Sequence, residues 1–357
     1  TTTTEIYPLS LHDALPICSV TVKDYVDLGF YGTGVLHVAG GELTAHVLRT
    51  TPWGVTNAPT PEIIVSGGRL AVTNIFYFAD AFDSTAKLTL SGGVFSLPRL
   101  WRNRGYVTVL CDGGALEARR NEANFIDANI QELTLTGNGL YVDSAGFDIG
   151  TARDLPDADG QNGKLGKRGA GKFELRAVTT FTGPVVVEGG ELALGASGLI
   201  TLAGGCEVDG GALLNLSATN LNFTLPAATV SRVDGELRLA SGRTLTVANG
   251  ATLGGTGVVG RVVFESGATL AREAGAALLT ATECVIPAGA VIALTGYSAA
   301  ELRQGVPVVA GETLTVAGGN TVQVTLDGLA QPTVALRVAG GTLTAYAYSP
   351  ATLIRVQ

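Results

Sequence analysis

Residues 250–271 read GATLGGTGVVGRVVFESGATLA, and the phrase Gly-Ala-Thr-Leu occurs twice within them. Glycines and small apolar residues fill most of the space between the two copies. Related phrases return along the rest of the chain, each with alternating apolar residues around a pair of glycines. This repetition carries most of the information that the sequence holds about the fold.

The related phrases combine a strand pattern with a sharp turn. Apolar residues that alternate with a period of two are typical of β-strands. A Gly-Gly pair between two such runs provides the positive φ that a tight turn requires. The phrases are GVLHVAGGELTAHV (34–47), EIIVSGGRLAVTN (62–74), AKLTLSGGVFSLPRL (86–100), YVTVLCDGGALEARR (106–120), PVVVEGGELALG (184–195), ETLTVAGGNTVQVTL (312–326) and VALRVAGGTLTAYAY (334–348).

The spacing of the phrases distinguishes a solenoid from a series of hairpins. The first glycine of successive pairs falls at Gly40, Gly67, Gly92 and Gly113. Steps of about 20–27 residues fit one coil of a parallel β-helix, in which neighbouring coils cover each other's apolar inner face. We therefore predict an all-β fold, a right-handed parallel β-helix (β-solenoid) that forms a single elongated domain over residues 19–357. One short helix is expected at 298–305, where Ser298 and Glu301 form a capping box.

Composition and charge exclude some classes of partner. Only 15% of the residues are charged, and the net charge is −8. A nucleic-acid partner needs clustered Lys and Arg, so we expect none, and we interpret the basic run KLGKRGAGK (164–172) as a solvated turn. No apolar run is long enough for a membrane span, so we expect no membrane insertion by this segment.

The segment Thr1–Cys18 does not share the repeat. It lacks the glycine spacing, and LSLHDALPI (9–17) resembles translated sequencing-adapter sequence. We interpret Thr1–Cys18 as a non-native leader and give His12 and Asp13 no catalytic role. Methionine is absent, even at position 1, so we expect the chain to be a processed or truncated piece, or a fragment of a longer reading frame.

The four cysteines do not form a recognisable metal or redox motif. They lie at positions 18, 111, 206 and 284, with no C-x-x-C spacing. Cys111, Cys206 and Cys284 fall in strand-like segments, and we expect buried free thiols. A disulfide stays an alternative, although the spacing does not resemble a disulfide framework.

Two stretches resemble a known family. In the first, GAGKFEL (169–175) is followed by TFTGPVVV (180–187) and GGELALG (189–195); in the second, ATLGGTG (251–257) is followed by SGATL (266–270). Together they resemble the autotransporter-associated β-strand repeat of bacterial passenger domains over residues 166–271. The chain departs from that pattern after Leu270, where Ala271–Gly275 replaces the usual Pro-Gly.

The resemblance implies an extracellular or bacterial cell-surface segment with a structural or adhesive role. We expect no enzyme activity, no cofactor, and no catalytic or metal-binding residues. Expected partners are other surface proteins, glycans, or copies of the chain arranged end to end. Two alternatives stay open: a carbohydrate-active β-helix enzyme or glycan-binding tail-spike-like fibre, and a subunit of a self-assembling filament whose open ends stack.

Two groups of charged residues could carry chemistry. Asp154, Asp157 and Asp159-Gly160 partly match a calcium loop, but no Glu follows at the required distance, so we favour a solvated loop. The second group could form a groove for acidic sugars, although an ion-pair ladder on the surface is the interpretation we prefer. It comprises Arg102, Arg104, Arg119 and Arg120, with Glu117 and Glu122.

Aromatic residues concentrate in the first third of the chain. They are Trp53, Phe76-Tyr77-Phe78, Trp101 and Tyr106. We expect them to fill a wide core or to cap its end, with an exposed stacking platform for sugars as the alternative. Residues 49–61 are expected to leave the coil as a loop, where binding functions commonly reside. His37 and His46 are expected to face outward without a catalytic or metal-binding role.

Overall fold

A computed structural model describes residues 19–29, 33–51, 60–318, 321–331 and 333–348. Thr1–Cys18, most of the predicted loop 49–61 and Trp53 lie outside the described residues, so the predictions made for them stay predictions. The chain divides into two compact units. The first extends to Thr182 and includes Ser197–Ile200, and the second comprises Gly183–Ala196 and the chain from Thr201 onward.

The described part of the first unit consists of short strands. They are β1 (Ser19–Leu28), β2 (Val35–Val38), β3 (Glu42–Thr50), β4 (Glu62–Val65), β5 (Arg69–Tyr77), β6 (Thr85–Leu90), β7 (Val94–Leu97), β8 (Tyr106–Cys111), β9 (Ala115–Ala118), β10 (Glu122–Ile126), β11 (Glu132–Leu135), β12 (Leu140–Asp143), β13 (Asp148–Thr151), β14 (Leu165–Arg168) and β15 (Lys172–Leu175).

These strands pair in parallel with strands from the next coil rather than with their neighbours in sequence. One ladder runs β1-β3-β5-β7-β9-β12-β14, a second runs β2-β4-β6-β8-β11, and a third runs β10-β13-β15. A parallel strand order that skips intervening elements is the pairing that a solenoid produces. The predicted all-β fold and parallel β-solenoid are therefore confirmed, whereas the handedness of the winding stays a prediction.

The second unit contains further strands and one helix. They are β16 (Val185–Val187), β17 (Glu191–Leu194), β18 (Cys206–Val208), β19 (Leu213–Asn215), β20 (Phe223–Leu225), β21 (Val230–Val233), β22 (Glu236–Arg238), β23 (Thr244–Val247), β24 (Thr252–Gly254), β25 (Val258–Phe264), β26 (Thr269–Glu273), β27 (Leu279–Ile286), β28 (Val291–Thr295), α1 (Ala299–Gln304), β29 (Val306–Val316), β30 (Gln323–Leu326), β31 (Leu329–Ala330), β32 (Val334–Ala339) and β33 (Thr342–Ala347).

Most of the second unit also consists of parallel ladders, and its last strands pair in the antiparallel direction. One ladder runs β16-β18-β21-β24-β26-β28-β30, and another runs β17-β19-β22-β25-β27-β29. The last strands are antiparallel: β31 pairs with β30, β33 pairs with β29, and β32 pairs with β33. The prediction that 334–348 forms another coil is therefore wrong, because this segment is a β-hairpin.

Apolar side chains stack inside the coils in columns. Val38, Val65, Leu90, Cys111 and Leu135 are consecutive partners across β2, β4, β6, β8 and β11. Each is at most 6% exposed. A single coil cannot cover such a row, so the burial depends on the coils on either side.

Coil length varies more than the glycine spacing predicts. Thr252 pairs with Thr269, whereas Val291 pairs with Gln323, so the second of these coils is almost twice as long as the first. The predicted range of about 20–27 residues per coil is wrong for both of them. The long coil contains α1 and the eleven-residue strand β29. Since the ladders fix only the strands, the connections between them are free to differ in length.

The Gly-Gly turns of the first unit lie directly on one another. In the pairs at 40–41, 67–68 and 92–93 the second glycine has a positive φ, +62° at both Gly68 and Gly93, whereas in the pair at 113–114 it is the first glycine, Gly113. A Cβ at Gly68 would lie 2.6 Å from the carbonyl carbon of Gly40, and a Cβ at Gly93 would lie 2.6 Å from the carbonyl carbon of Gly67. Glycine is needed here both for the backbone conformation and for the close approach of successive turns.

The predicted helix is confirmed. Ser298 caps α1, its side chain accepting from the Glu301 amide at 3.2 Å while the Glu301 carboxylate accepts from the Ser298 amide at 2.7 Å. Leu302 is buried, and the Tyr346 ring of β33 lies against Gly305. The helix therefore packs on the terminal hairpin rather than extending a ladder.

Candidate functional site

Polar side chains on the outside of the coils bind across to the next coil. Such contacts, which we call inter-coil ties, join a donor on one coil to a carboxylate on its neighbour. They include Thr89 to Glu62 at 3.2 Å, Thr136 to Asp112 at 2.5 Å, Thr182 to Asp157 at 2.6 Å, Asn215 to Glu191 at 2.7 Å and Thr256 to Asp234 at 3.0 Å. The polar contacts on the outer face therefore stabilise the same pairing of neighbouring coils that the apolar columns stabilise from inside.

Glu117 is the centre of the most connected group of ties. Arg69 holds its carboxylate with both terminal guanidinium nitrogens, Nη1 donating to Oε2 at 2.8 Å and Nη2 donating to Oε1. Ser96 donates to Oε1 at 2.9 Å, and Arg119 donates to the Ser96 hydroxyl at 3.2 Å. The four residues come from β5, β7 and β9 and the turn after β9, so the group spans three coils.

The surroundings of Glu117 favour its charged form. Partial burial of the carboxylate by itself raises its pKa, but the hydrogen bonds from Arg69 and Ser96 and the charge of Arg119 outweigh it, so the pKa lies below the ordinary value. The Arg69 pKa is raised, chiefly by its hydrogen bonds to Glu117. A carboxylate held in this way is poorly suited to proton transfer, because it is ionised and its oxygens are occupied.

The predicted sugar-acid group is only partly assembled. Arg119 joins Glu117 through Ser96, and Arg120 lies 3.5 Å from Glu122. Arg104 instead lies over the Phe82 ring at 5.1 Å, and the backbone of Arg102 pairs with Phe78. Sequence reasoning missed Arg69, the main partner of Glu117, although its place directly after a Gly-Gly pair matches that of Glu42 one coil earlier.

The aspartates of the candidate calcium loop are engaged by threonines. Asp154 accepts from the amide of Thr180 at 2.9 Å, and Asp157 accepts from the amide of Thr182 at 3.0 Å and of Gly163 at 2.6 Å. Among the described residues, no group of three or more His, Cys, Asp or Glu side chains is arranged to hold a metal ion. The carboxylates of this loop tie it to the coil that follows.

The aromatic cluster divides between the inside and the outside of the coils. Phe76, Phe78 and Phe95 are at most 1% exposed, with ring centroids 4.9 Å apart for Phe76 and Phe78 and 5.3 Å apart for Phe76 and Phe95. Phe76 and Phe78 therefore fill the core, as predicted. Tyr106 is 43% exposed, and its hydroxyl donates to Glu132 at 2.5 Å.

A second set of aromatic residues lies outside, on neighbouring coils. The Tyr77 and Trp101 rings are partly exposed, with centroids 6.1 Å apart and planes tilted by 51°. The Arg49 guanidinium lies 4.4 Å from the Tyr25 ring centroid, and that of Arg99 lies 5.7 Å from the Trp101 ring centroid. We call these five residues the aromatic strip.

Each guanidinium of the aromatic strip is paired with a carboxylate. Arg49 donates from Nε and Nη2 to the two oxygens of Asp27, at 2.7 and 2.6 Å. Arg99 donates from Nη2 to Asp127 at 2.7 Å. Hydrogen bonding to Asp27 is the largest cause of the raised pKa of Arg49. The strip therefore combines ring faces with fixed polar pairs.

His37 and His46 are exposed, as predicted, and each lies near polar side chains of the next coil. His37 Nε2 is 2.7 Å from the Ser66 hydroxyl, and His46 Nδ1 is 3.3 Å from the Thr73 hydroxyl. Both contacts resemble the inter-coil ties made by the carboxylates. The rings therefore sit within the polar outer face of the stack.

The predicted buried free thiols are confirmed at three positions. Cys111, Cys206 and Cys284 are free and at most 2% exposed. Burial raises the pKa of each thiol to about 12. A thiol with such a pKa carries almost no thiolate at neutral pH and reacts poorly. Cys18 lies outside the described residues.

Two cations point into the coils. The Lys167 side chain is fully buried, and its Nζ donates to the carbonyls of Arg168 and Gly169 at 2.6 and 2.7 Å. Desolvation lowers its pKa to about 8, although the charge of Asp143 acts in the opposite direction. Arg272 similarly donates to the carbonyls of Ala276, Ala277 and Pro307. The prediction that 164–172 is a solvated turn is therefore wrong at Lys167, which belongs to strand β14.

Comparison of the chain with protein-family models, curated proteins and solved structures gives no match. The resemblance to the autotransporter-associated repeat therefore stays a prediction from the quoted motifs. In the part of the chain that the structure describes, no helix has both the length and the apolar character to cross a membrane.

Proposed function

We propose that this chain is a non-catalytic structural or adhesive β-solenoid segment of a bacterial surface or secreted protein. The fold is consistent with such a role, since a stack of mutually covering coils provides a stable scaffold for surface residues. The extracellular location and the bacterial origin rest on the motifs of residues 166–271. Partners in this proposal are glycans or other proteins at the cell surface.

One observation carries the proposal: the polar residues outside the coils are used to hold neighbouring coils together. Glu117, Asp157 and Asp234 each accept a hydrogen bond from a neighbouring coil, and Glu117 accepts two more from Arg69, two coils away. A catalytic acid or base has to exchange protons with a substrate, which conflicts with full engagement by such donors. Because these carboxylates hold neighbouring coils together, they support the proposal that the chain is a structural scaffold.

Hydrogen exchange and limited proteolysis of the whole chain test the scaffold role. We expect slow exchange throughout the paired strands β3 to β29 and resistance of these segments to a nonspecific protease. Both follow because the backbone amides of central coils are hydrogen-bonded to coils on either side. Rapid exchange across the central ladders under native conditions would contradict the proposal.

Two further experiments test the location and the absence of catalysis. Antibodies against the chain should label intact cells of the bacterium that encodes it. Incubation of the purified chain with neutral and acidic polysaccharides should yield no new reducing ends. Labelling only after cell lysis would overturn the proposed location, and release of reducing ends would favour the carbohydrate-active enzyme.

A further inference from the structure

We propose that the aromatic strip of Tyr25, Arg49, Tyr77, Arg99 and Trp101 binds a neutral glycan. The inference deepens the proposed adhesive role and rests on it, since it names the class of partner. The carrying observation is that aromatic rings and ion-paired guanidinium groups lie beside each other on four successive coils, with Tyr25, Arg49 and Tyr77 on the first three and Arg99 and Trp101 together on the fourth.

The strip runs across successive coils. Asp27, Arg49 and Tyr77 are consecutive partners across β1, β3 and β5. Tyr77 immediately precedes Phe78, and Trp101 immediately precedes Arg102, the partner of Phe78 in the next coil. Neighbouring parallel strands lie about 4.8 Å apart, so the rings and ion pairs of the strip follow one line across successive coils, with a different side chain on each coil. A linear polymer of similar units matches such a surface better than an irregular protein surface does.

The ring faces suit the apolar face of a sugar. Tyr25 is 51% exposed, and Tyr77 and Trp101 are partly exposed. The face of an aromatic ring carries partial negative charge, which attracts the C–H groups on one face of a pyranose. Rigid aromatic side chains also lose little conformational entropy on binding. Since Arg49 and Arg99 lie over one face of Tyr25 and Trp101, a sugar unit would stack on the opposite face of these two rings or on Tyr77.

The polar groups beside the rings suit hydroxyl groups. In both pairs, Arg49 with Asp27 and Arg99 with Asp127, the carboxylate and the guanidinium are held in place by each other. Asp127 is only 4% exposed and is further fixed by the amide of Asn129 at 2.9 Å, so it orients Arg99, whereas Asp27 and the two guanidinium groups are partly exposed to a ligand. Donors and acceptors that are already oriented can bond adjacent hydroxyls with little further ordering.

The charges of the strip favour a neutral ligand over an acidic one. Both guanidinium groups already face a carboxylate, so neither offers an uncompensated positive charge. The whole chain carries a net charge of −8, which repels a polyanion. An acidic polysaccharide or a nucleic acid would therefore gain little from the strip.

Fluorescence of the full chain provides the test, because the sequence has only two tryptophans. The Trp53→Phe variant leaves Trp101 as the single reporter within the strip. It is titrated with cello-, malto-, laminari- and mannohexaose as neutral probes and with polygalacturonate as the acidic probe. We expect a saturable change in Trp101 emission with at least one neutral probe and none with polygalacturonate.

Variants in the same background locate the binding surface. Tyr25→Ala and Tyr77→Ala should each weaken binding roughly tenfold, as the loss of a stacking ring does. Tyr106→Ala is the matched control, since Tyr106 is an exposed tyrosine on another ladder and should leave binding unchanged. Thermal melts of each variant distinguish a loss of binding from a loss of folding. Tyr25 is the most exposed ring of the strip, so Tyr25→Ala is the variant in which a folding defect is least expected.

Three results would overturn the inference. They are no response to any neutral probe, a response to polygalacturonate alone, or an equal loss of affinity in Tyr106→Ala and Tyr25→Ala. The scaffold role is judged separately, by hydrogen exchange and surface labelling. If the strip binds no glycan but the chain is protected from hydrogen exchange and labelled on intact cells, the proposed function is retained and only this inference is overturned. Release of reducing ends from a polysaccharide would overturn the proposed function itself.

Discussion

At the scale of single residues, the Gly-Gly turns are under two constraints at once. Gly68 has a positive φ and lies close to the backbone of Gly40 and Gly41 in the preceding turn. Gly40 has no neighbouring atom within 4 Å of the position where a Cβ would stand. The first glycine of one pair and the second glycine of the next therefore differ in what they tolerate.

Replacing Gly68 by Ala should lower the free energy of unfolding by about 3 kcal/mol, since left-handed backbone and overpacking each cost roughly 1–2 kcal/mol. Gly40→Ala is the matched control and should change it by less than about 0.5 kcal/mol. Urea denaturation of both variants provides the measurement. Equal losses of stability would contradict the close packing of the turns.

Lys167 should make a contribution to the free energy of unfolding that increases as the pH rises. Its pKa is lowered from 10.5 to about 8 in the folded protein, so between these values the unfolded chain binds more protons. The contribution of Lys167 to stability therefore rises as the pH increases from 8 to 10.5. The buried thiols act in the opposite direction above their ordinary pKa of 9.0, but they are present in every variant compared.

The difference in unfolding free energy between the natural chain and Lys167→Met isolates this effect. We expect the difference to shift in favour of the natural chain as the pH rises from 8 to 10.5, as measured by urea denaturation at several pH values. Lys172→Met, which replaces a partly exposed lysine, serves as the control. Parallel pH profiles for the natural chain and Lys167→Met would contradict the prediction.

At the scale of elements, a Gly-Gly pair between two apolar runs has two structural outcomes. In the coil turns at 67–68 and 92–93 only the second glycine has a positive φ. In the hairpin between β32 and β33 both Gly340 and Gly341 have positive φ, as a type I′ turn requires. The sequence predicted the strands in both cases, but glycine permits either turn, and the neighbouring strands determine which one forms.

The candidate site, like the Gly-Gly turns, was predictable from the sequence only in part. Alternation places Tyr77 on the opposite face from Phe76 and Phe78, so the division between strip and core was present in the sequence. The pairing of Arg69 with Glu117 was not, because the two residues are 48 positions apart and a coil with the uncharged Val94 and Ser96 lies between them. Contacts across two coils depend on how far a side chain extends over the coil between them, and a local sequence pattern does not show this.

Replacing Glu117 by Gln should weaken the ties among β5, β7 and β9. We expect a loss of about 1–2 kcal/mol at neutral pH, because a charged acceptor of three hydrogen bonds becomes neutral. The lowered pKa of Glu117 means that its contribution is present at neutral pH and is lost as the pH falls below 4.5. The variant should therefore lose less stability on acidification than the natural chain.

The control for this experiment is Glu236→Gln, since the side chains of Glu236 and its partner Arg238 lie on the outer face of the same strand and are both exposed. Ion pairs of that kind contribute little to stability. Urea denaturation at neutral and acidic pH compares the two variants. A larger loss in Glu236→Gln than in Glu117→Gln would contradict the special role of the Glu117 group.

At the scale of the whole molecule, the terminal hairpins bear on the filament alternative. The strand β33 covers the edge of β29 in antiparallel pairing, and Val306, Val309 and Leu343 are buried between them. A covered edge cannot pair freely with another chain. End-to-end stacking through β29 would therefore require displacement of β33.

A chain that ends at Gln331 lacks β32 and β33 and should self-associate. The edge of β29 and its apolar side chains would then be uncovered, as in an exposed edge strand. A chain that ends at Tyr348 keeps the hairpin and serves as the control. Light scattering during size-exclusion chromatography measures the result, and a shorter chain that stays monomeric and folded would contradict the capping role of the hairpin.

The unequal coil lengths make this chain a promising host for grafted peptides. The short coil that begins at Thr252 and the long coil that begins at Val291 maintain the same kind of ladder, so additional residues between strands need not disturb the pairing. Doubling the length of a flexible loop costs only about 0.6 kcal/mol in closure entropy. The turn at Gly210-Gly211, where no atom lies within 4 Å of the place that a Cβ would take on either glycine, offers an open corner for an epitope or a tag.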